Sequence, residues 1–292
     1  MSSHEDSTPD AGMESAVLQR YAKAAAARQE ALCCPTSHDA RYLEALPAEI
    51  LERDYGCGNP SAFARDGDTV LDLGSGTGKM AYILSQVVGP QGRILGVDFN
   101  EEMLALARRH LQSVGDRIGW HNVRFLKGRI QDLALDLEEL DAWLARHPAT
   151  PAADPGALRQ EEERLRGESP LIADASVDLV VSSCVLNLVR SRDKKKLFAE
   201  MFRVLRDGGR VAISDIVSDQ EVPDHMQNNP ELWTGCISGA FQEQAFLHAF
   251  EDAGFHGVAL AERAQDPFAV EEGIEFRAVT VTAHKGDKSP DF

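Results

Sequence analysis

Residues Thr69–Gly78 read TVLDLGSGTG, and this stretch decides the fold. An apolar run passes straight into Gly74, Gly76 and Gly78, and KMAYILSQVV then carries a helical pattern. Strand, glycine turn and helix in that order bring a ligand against main chain, because residues without a Cβ allow the tight turn and the close approach. A dinucleotide turn places its third glycine three residues after the second. Here the glycines fall at every second position behind the acidic Asp72. Such an acidic, thin-walled turn suits a cationic cofactor better than a pyrophosphate.

Working outward, GRILGVD, VRFLKGRI, VDLVVSSCVL and GRVAISDIV read as further strands. Between them EEMLALARRHLQSVG and DKKKLFAEMFRVL read as helices, with acidic residues opening the first. Strands alternating with helices predict an α/β fold, a mostly parallel sheet covered on both faces. Asp98 ends the second strand, where a carboxylate can accept hydrogen bonds from ribose hydroxyls; capping the next helix is the competing reading. The first dozen residues, 1–12, read as disordered, and 13–66 as a helical and loop extension. Residues 67–217 form the cofactor domain, interrupted by a charged surface insertion at 136–170. Residues 218–285 are a C-terminal α+β addition with a substrate role, and 286–292 a polar tail.

Lys and Arg total 30 against 47 Asp and Glu, a net charge of −17. That field repels phosphate backbones and argues against nucleic acid as a partner. The N-terminal MSSHEDSTPDAG lacks the basic head and apolar centre of a signal peptide, and no apolar run reaches membrane-spanning length. The expectation is a cytoplasmic monomer without membrane association.

Five cysteines, Cys33, Cys34, Cys57, Cys184 and Cys236, are too few and scattered for a disulfide scaffold, and no CxxC pair suggests structural zinc. Each alone reads equally well as a small buried hydrophobe. Their placement is more informative. Cys184 follows the fourth strand, at the carboxyl edge where open α/β sheets bind ligands. Cys57 lies in the glycine-flanked DYGCGNP and Cys236 in LWTGCISG. Three thiolates brought together would select a soft, pyramidal trivalent semimetal over hard cations. After the fourth strand no His or carboxylate stands out as a general base; His225 is the one histidine to weigh.

These elements carry a resemblance. CC at Cys33–Cys34, YGCG at Tyr55–Gly58, VLDLGSGTG, CVLNL at Cys184–Leu188, VLRDGGRVAISDI and LWTGCISGAF occur in the order found in arsenite S-adenosylmethionine methyltransferases. The chain resembles that family from about Ala16 to Lys285. The resemblance implies a class I, Rossmann-like methyltransferase that moves methyl groups from S-adenosylmethionine to thiol-bound As(III), releasing S-adenosylhomocysteine and methylated arsenicals. It implies Cys57, Cys184 and Cys236 as arsenic ligands and catalytic residues. A redox role falls to Cys33 or Cys34, served by an external thiol such as glutathione or by thioredoxin. Cofactor contacts are implied at Tyr55, Asp72, Gly74, Gly76, Asp98, Phe99, Met103, Ile130 and Ser183. Where the family has Asn before the cysteine of CVxNL, this chain has Ser183. Two rival functions are a methyltransferase for a small organic acceptor, with structural cysteines, and a non-enzymatic metalloid-binding or sensing protein.

Overall fold

The computed structural model describes residues 9–29, 38–148 and 154–286. Five parallel strands form the centre of one sheet: β1 (Thr69–Leu73), β2 (Arg93–Asp98), β3 (Val123–Lys127), β4 (Val177–Ser183) and β5 (Leu205–Ser218). β6 (Phe241–Gln242) pairs briefly with β5, β7 (His256–Arg263) lies at one edge, and β8 (Ala269–Glu271) pairs with β9 (Ile274–His284). The spatial order is β3-β2-β1-β4-β5-β9-β7, with β9 antiparallel to both its neighbours. β1 and β4 are buried almost throughout, as strands covered on both faces must be. The C-terminal segment therefore widens the same sheet.

The chain path differs from the sequence reading in instructive places. Helix α1 spans Pro9–Ala26, so residues 9–12 are helical where disorder was expected. The expected helix EEMLALARRHLQSVG is two, Glu101–Arg109 and Leu111–Ile118, broken at His110, whose ring meets the Glu49 carboxylate at 3.0 Å. β5 starts at Leu205, and its pairing with β4 jumps from Leu205 to Arg210, leaving the DGG segment bulged outward. Cys33 and Cys34 lie outside the described residues.

The insertion is a pair of helices, Leu137–Arg146 and Pro155–Glu168, each capped by an aspartate (Asp136 and Asp154). They close on Leu135, Leu140 and Leu165 rather than on the sheet. Asp132 ties them to the domain through Arg166 at 2.9 Å and Lys196 at 2.9 Å.

The extension before β1 is held from below. Arg210 on β5 donates to the Phe63 carbonyl and to the Asp68 carboxylate, all nearly out of water. Removing one member of a buried, hydrogen-bonded pair leaves an uncompensated charge, at a cost of about 3–5 kcal/mol. Arg210→Met should lower the free energy of unfolding by that amount, read from a lower midpoint of denaturant unfolding. A loss under about 1 kcal/mol would mean that the pair behaves as if solvated and does not anchor this segment.

Candidate active site

Strand order reverses between β1 and β4, since β2 and β3 lie on one side and β5 on the other. Their outgoing loops part there and leave a cleft at the carboxyl edge. Its empty space is about 1160 Å³, part of it open to solvent. Gly74 and Gly76 follow β1 with φ of 69° and 50°, a region where a Cβ is strained. A Cβ on Gly74 would strike Val185, whereas at Gly76 it would meet nothing, so the turn leaves its space for a ligand.

Every residue singled out for cofactor contact lines this cleft: Tyr55, Asp72, Gly74, Gly76, Asp98, Phe99, Met103, Ile130 and Ser183. Asp98 accepts from the main-chain N–H of Gly76 at 2.8 Å and of Asn100 at 2.9 Å, which fixes its carboxylate on the glycine turn. The helix cap is Asn100, whose side chain accepts from Met103 N–H, so the capping alternative for Asp98 falls to its neighbour. Asp72 is buried with one carboxylate oxygen lacking any partner among the described residues, and so is the Ser75 hydroxyl. Burial first, then the charges of Asp98 and Asp54, push the Asp72 carboxyl up to about 7. Tyr55 spends its phenol on α1, donating to Ala24 C=O at 3.0 Å and accepting from Gln29 N–H at 3.1 Å. α1 closes the cleft through Glu14, Val17 and Tyr21, and Glu14 pairs with Arg129 at 2.9 Å.

Ser183 faces the cleft, but its hydroxyl is spoken for. It donates to the Cys57 carbonyl at 2.7 Å and accepts from the Cys57 N–H at 2.8 Å. The serine thereby clamps the YGCG loop onto the end of β4, and a Cβ on Gly56 would collide with it.

The clamp brings two distant thiols together. Cys57 and Cys184 form a disulfide with a Cα–Cα distance of 5.6 Å across 127 residues of sequence. That bond differs from the expectation of three thiolates meeting as ligands. Cys236 lies beside them as a buried thiol, its Sγ 3.3 Å from the Cys184 carbonyl. All three cysteines are at most 6% exposed, among Ile216, Val222, Met226, Ile237 and Phe276. With two sulfurs bonded to each other, no group of three His, Cys, Asp or Glu side chains is set as a metal site among the described residues.

Cys184 and Cys236 both adopt the left-handed backbone region, with φ of 59° and 63°. Residues with a Cβ pay for that conformation and keep it only where surroundings over-determine it. The surroundings are visible. The Asp215 carboxylate accepts from Leu186 N–H at 2.8 Å, directly after Cys184. Asn187 donates to Ile216 C=O at 2.6 Å and to Cys236 C=O at 3.2 Å, tying both cysteine turns together. Lys194 donates to Gly239 C=O and lies 4.1 Å above the Phe241 ring. Burial holds its ammonium down to about 8, and the same cause lifts Asp215 to about 6.

A second, small pocket adjoins the cleft, lined by Tyr21, Tyr55, Cys184, Ile216, Gly235, Cys236 and Phe268. Tyr21, a lone aromatic in VLQRYAKAAA, was not singled out by sequence, yet it lines this pocket together with Cys236. Burial first, then Cys236, raises that phenol well above the usual tyrosine range, so it remains a donor. His225 lies on the surface, 2.8 Å from Glu272, and lines neither cavity.

Comparison with known proteins agrees with this architecture. A family model described as a methyltransferase domain matches residues 64–168 and 166–254. An arsenite methyltransferase of Aquipseudomonas alcaligenes is 35% identical over 234 residues, covering 79% of this chain and 57% of that protein. The human arsenite methyltransferase is 30% identical over 220 residues, covering 75% of this chain and 49% of its own. This chain thus spans about half the length of the curated relatives it matches. The crystal structure of an arsenic(III) S-adenosylmethionine methyltransferase from Chlamydomonas reinhardtii superposes with a TM-score of 0.67 at 28% identity, covering 87% of this chain and 76% of that one. With a family model matched across well over half its residues, the parallel sheet and the glycine turn at the cleft have their place: the chain belongs to the methyltransferase-domain family.

Proposed function

We propose that this protein is an S-adenosylmethionine-dependent methyltransferase whose acceptor is trivalent arsenic held by its own thiols. The observation that carries the reading is the meeting of Cys57, Cys184 and Cys236 from three distant loops, Cys57 bonded to Cys184 and the latter two lining a pocket that shares a wall with the cleft. An organic acceptor has no use for three such sulfurs, and a sensor has no use for the cleft beside them.

The cleft fits the cofactor. Its lining carries as many basic as acidic side chains, Arg53, Lys79, Arg129 and Arg190 beside Glu14, Asp54, Asp72 and Asp98, and the orphaned Asp72 oxygen and Ser75 hydroxyl at the glycine turn suit a ligand that brings its own donors. Asp98, Asp72, Gly74, Gly76, Tyr55, Phe99, Met103 and Ile130 would hold it, with Ser183 acting through the Cys57 loop. When bound, S-adenosylmethionine supplies a methyl group on a positively charged sulfur.

The protein's residues do the rest. Two equivalents of an external thiol, of the glutathione or thioredoxin class, reduce the Cys57–Cys184 bond to two thiols and leave as a disulfide. Each of the three cysteines then exchanges its proton for a bond to arsenic, and each arsenic-bound hydroxide departs as water. Trivalent arsenic on three sulfurs keeps a lone pair, which is the nucleophile. No proton need be removed from it, in keeping with the absence of a histidine or free base beside Cys184 among the described residues. The buried apolar setting excludes water, and the two strained turns fix the direction of the sulfurs, so positioning supplies the catalysis. Gaining a methyl group takes arsenic to the pentavalent state, and two electrons from protein or external thiols return it. Cys33 and Cys34 are the proposed internal source.

The direct test is arsenic speciation after incubating the reduced protein with S-adenosylmethionine, arsenite and a thiol. Methylated arsenicals are expected; none, with turnover of an organic acceptor instead, would overturn the proposal. Serine conserves size but offers a hard, neutral hydroxyl, a poor partner for As(III). Cys184→Ser and Cys236→Ser should therefore each lose nearly all arsenite methylation, with cofactor affinity retained. Cys57→Ser should lose it too, but keep part of its action on monomethylated As(III), which needs two sulfurs. Preserved turnover with a modest fall in melting temperature would return the cysteines to a packing role.

Cofactor binding has its own signature. In the ligand-free protein Asp72 holds its proton up to about pH 7, whereas the unfolded chain releases it near the ordinary aspartate value of 3.8. The native state then binds the extra proton, so this group's share of stability falls as pH rises from about 4 to 7 and is level above. Asp72→Asn should stabilise the ligand-free protein at pH 8 by up to about 4 kcal/mol, with the gain vanishing toward pH 4. A cation beside Asp72 lowers its pKa, so binding near pH 6 should release protons, read by calorimetry in buffers of different ionisation enthalpy. Proton-neutral binding would remove Asp72 from the cofactor site. Asp98→Ala should weaken the cofactor by about 1.5–3 kcal/mol; unchanged affinity in a folded variant would remove Asp98 likewise.

A further inference from the structure

Of the basic residues that line the cleft, two are bonded to carboxylates outside its lining: Arg53 donates to Glu49 at 2.8 Å and Arg190 to Asp193 at 2.8 Å. The other two are paired within it. Arg129, which follows β3, meets Glu14 at 2.9 Å, with Arg190 3.7 Å from the same carboxylate. Lys79, which follows the glycine turn, meets Asp54 at 2.6 Å. Asp54 directly precedes the YGCG loop that Ser183 clamps to the end of β4. One internal ion pair therefore lies beyond β3, and the other lies between β1 and β4.

The second pair is the drier one, since the Lys79 side chain is 10% exposed and that of Arg129 44%. Local structure gives no reason for a lysine there. Lys79 is the first residue of the helix Lys79–Val88, where the dipole and the open N–H groups disfavour a cation. Gly78, ahead of it, supplies no side-chain cap. Such a helix start favours an anion, and a largely buried lysine beside it strengthens the preference. On the same strand, turn and helix unit, Asp72 keeps one buried oxygen without a partner among the described residues. The place thus offers a cation and a helix start to a carboxylate, and two carboxylates to an ammonium.

We infer that Lys79, with Asp54 as its counter-charge, forms the subsite that selects a zwitterionic α-amino-acid end on the nucleoside ligand. The chemistry of the ligand points to this place. In S-adenosylmethionine the ribose carbon, the methyl group and the amino-acid chain are all bonded to one sulfur. Asp98 takes the ribose at the end of β2, and the methyl group has to face Cys184 after β4. The amino-acid chain on that sulfur is then met between β1 and β4, where Lys79 and Asp54 lie. With its carboxylate on Lys79 and its ammonium on Asp54 and Asp72, the zwitterion adds no net charge to the cleft. It exchanges one buried ion pair for two charge-assisted contacts. The assignment deepens the proposed function and rests on its cofactor, whatever the acceptor is.

Calorimetry with three ligands tests it. S-adenosylhomocysteine carries both charges, its decarboxylated analogue keeps only the amine, and 5′-methylthioadenosine has neither. Lys79→Met should weaken S-adenosylhomocysteine about tenfold to a hundredfold, the range of a hydrogen bond to a charged group, and change 5′-methylthioadenosine by less than about twofold. The same variant should bind the decarboxylated amine at least as tightly as the wild type does, because Asp54 is released to it. Lys79→Arg keeps the charge and should recover most of the lost affinity. Asp54→Asn should weaken both amines and spare 5′-methylthioadenosine. A lysine needed only for the fold would lower all three affinities together. That result, or S-adenosylhomocysteine bound by Lys79→Met as tightly as by the wild type, would overturn the inference while leaving the cofactor reading in place. A wild type that binds none of the three ligands would overturn the cofactor reading and this assignment with it.

Discussion

The reversal of strand order between β1 and β4 is the constraint on which the rest depends. Parallel strands need crossovers, and crossovers that leave in opposite directions open a gap at the carboxyl edge. The glycine turn after β1 fills one lip of that gap with bare main chain, and Cys184 ends the other. Both cavities follow from this one topological fact. The cleft lies over β1 and β2, and the thiol pocket lies beyond β4, walled off by Tyr21, Tyr55 and Cys184.

Holding sulfurs at that edge is costly. Two cysteines with left-handed backbones, a buried lysine and a buried aspartate are each unfavourable alone. They are stable together because every strained turn is tied by a side chain from elsewhere. Asp215 holds the turn after Cys184, Asn187 joins it to the Cys236 turn, and Lys194 holds Gly239 behind. The main chains of Asn187 and Gly239 run so close that a Cβ at 239 would strike the Asn187 carbonyl. Ser183 does for Cys57 what Asn187 does for Cys236. Such over-determination is what a site needs when its work is positioning rather than proton transfer.

The sheet could be read from sequence because its signals are local: apolar runs, glycine punctuation and charged helix starts each occupy a few neighbouring residues. Asp98 and the glycine turn were legible for the same reason. Other features depend on contacts far apart in the chain and leave no local trace. Nothing in MESAVLQRYAKAAAA announces that Tyr21 shares a small pocket with Cys236, more than two hundred residues later. The split of the helix at His110 turns on Glu49. Composition counselled against a disulfide framework; the bond between Cys57 and Cys184 comes from the fold bringing their loops together. Nor does the sequence show that the Ser183 hydroxyl bonds the Cys57 main chain of a distant loop.

The central claim is that three sulfurs, once the disulfide is opened, are the ligands of the acceptor. X-ray absorption at the arsenic edge of the reduced protein loaded with one equivalent of arsenite reads this most directly. The account predicts a first shell of three sulfurs and no oxygen, dropping to a mixed sulfur and oxygen shell in Cys236→Ser. A shell dominated by oxygen in the wild type, or one unchanged by Cys236→Ser, would contradict it.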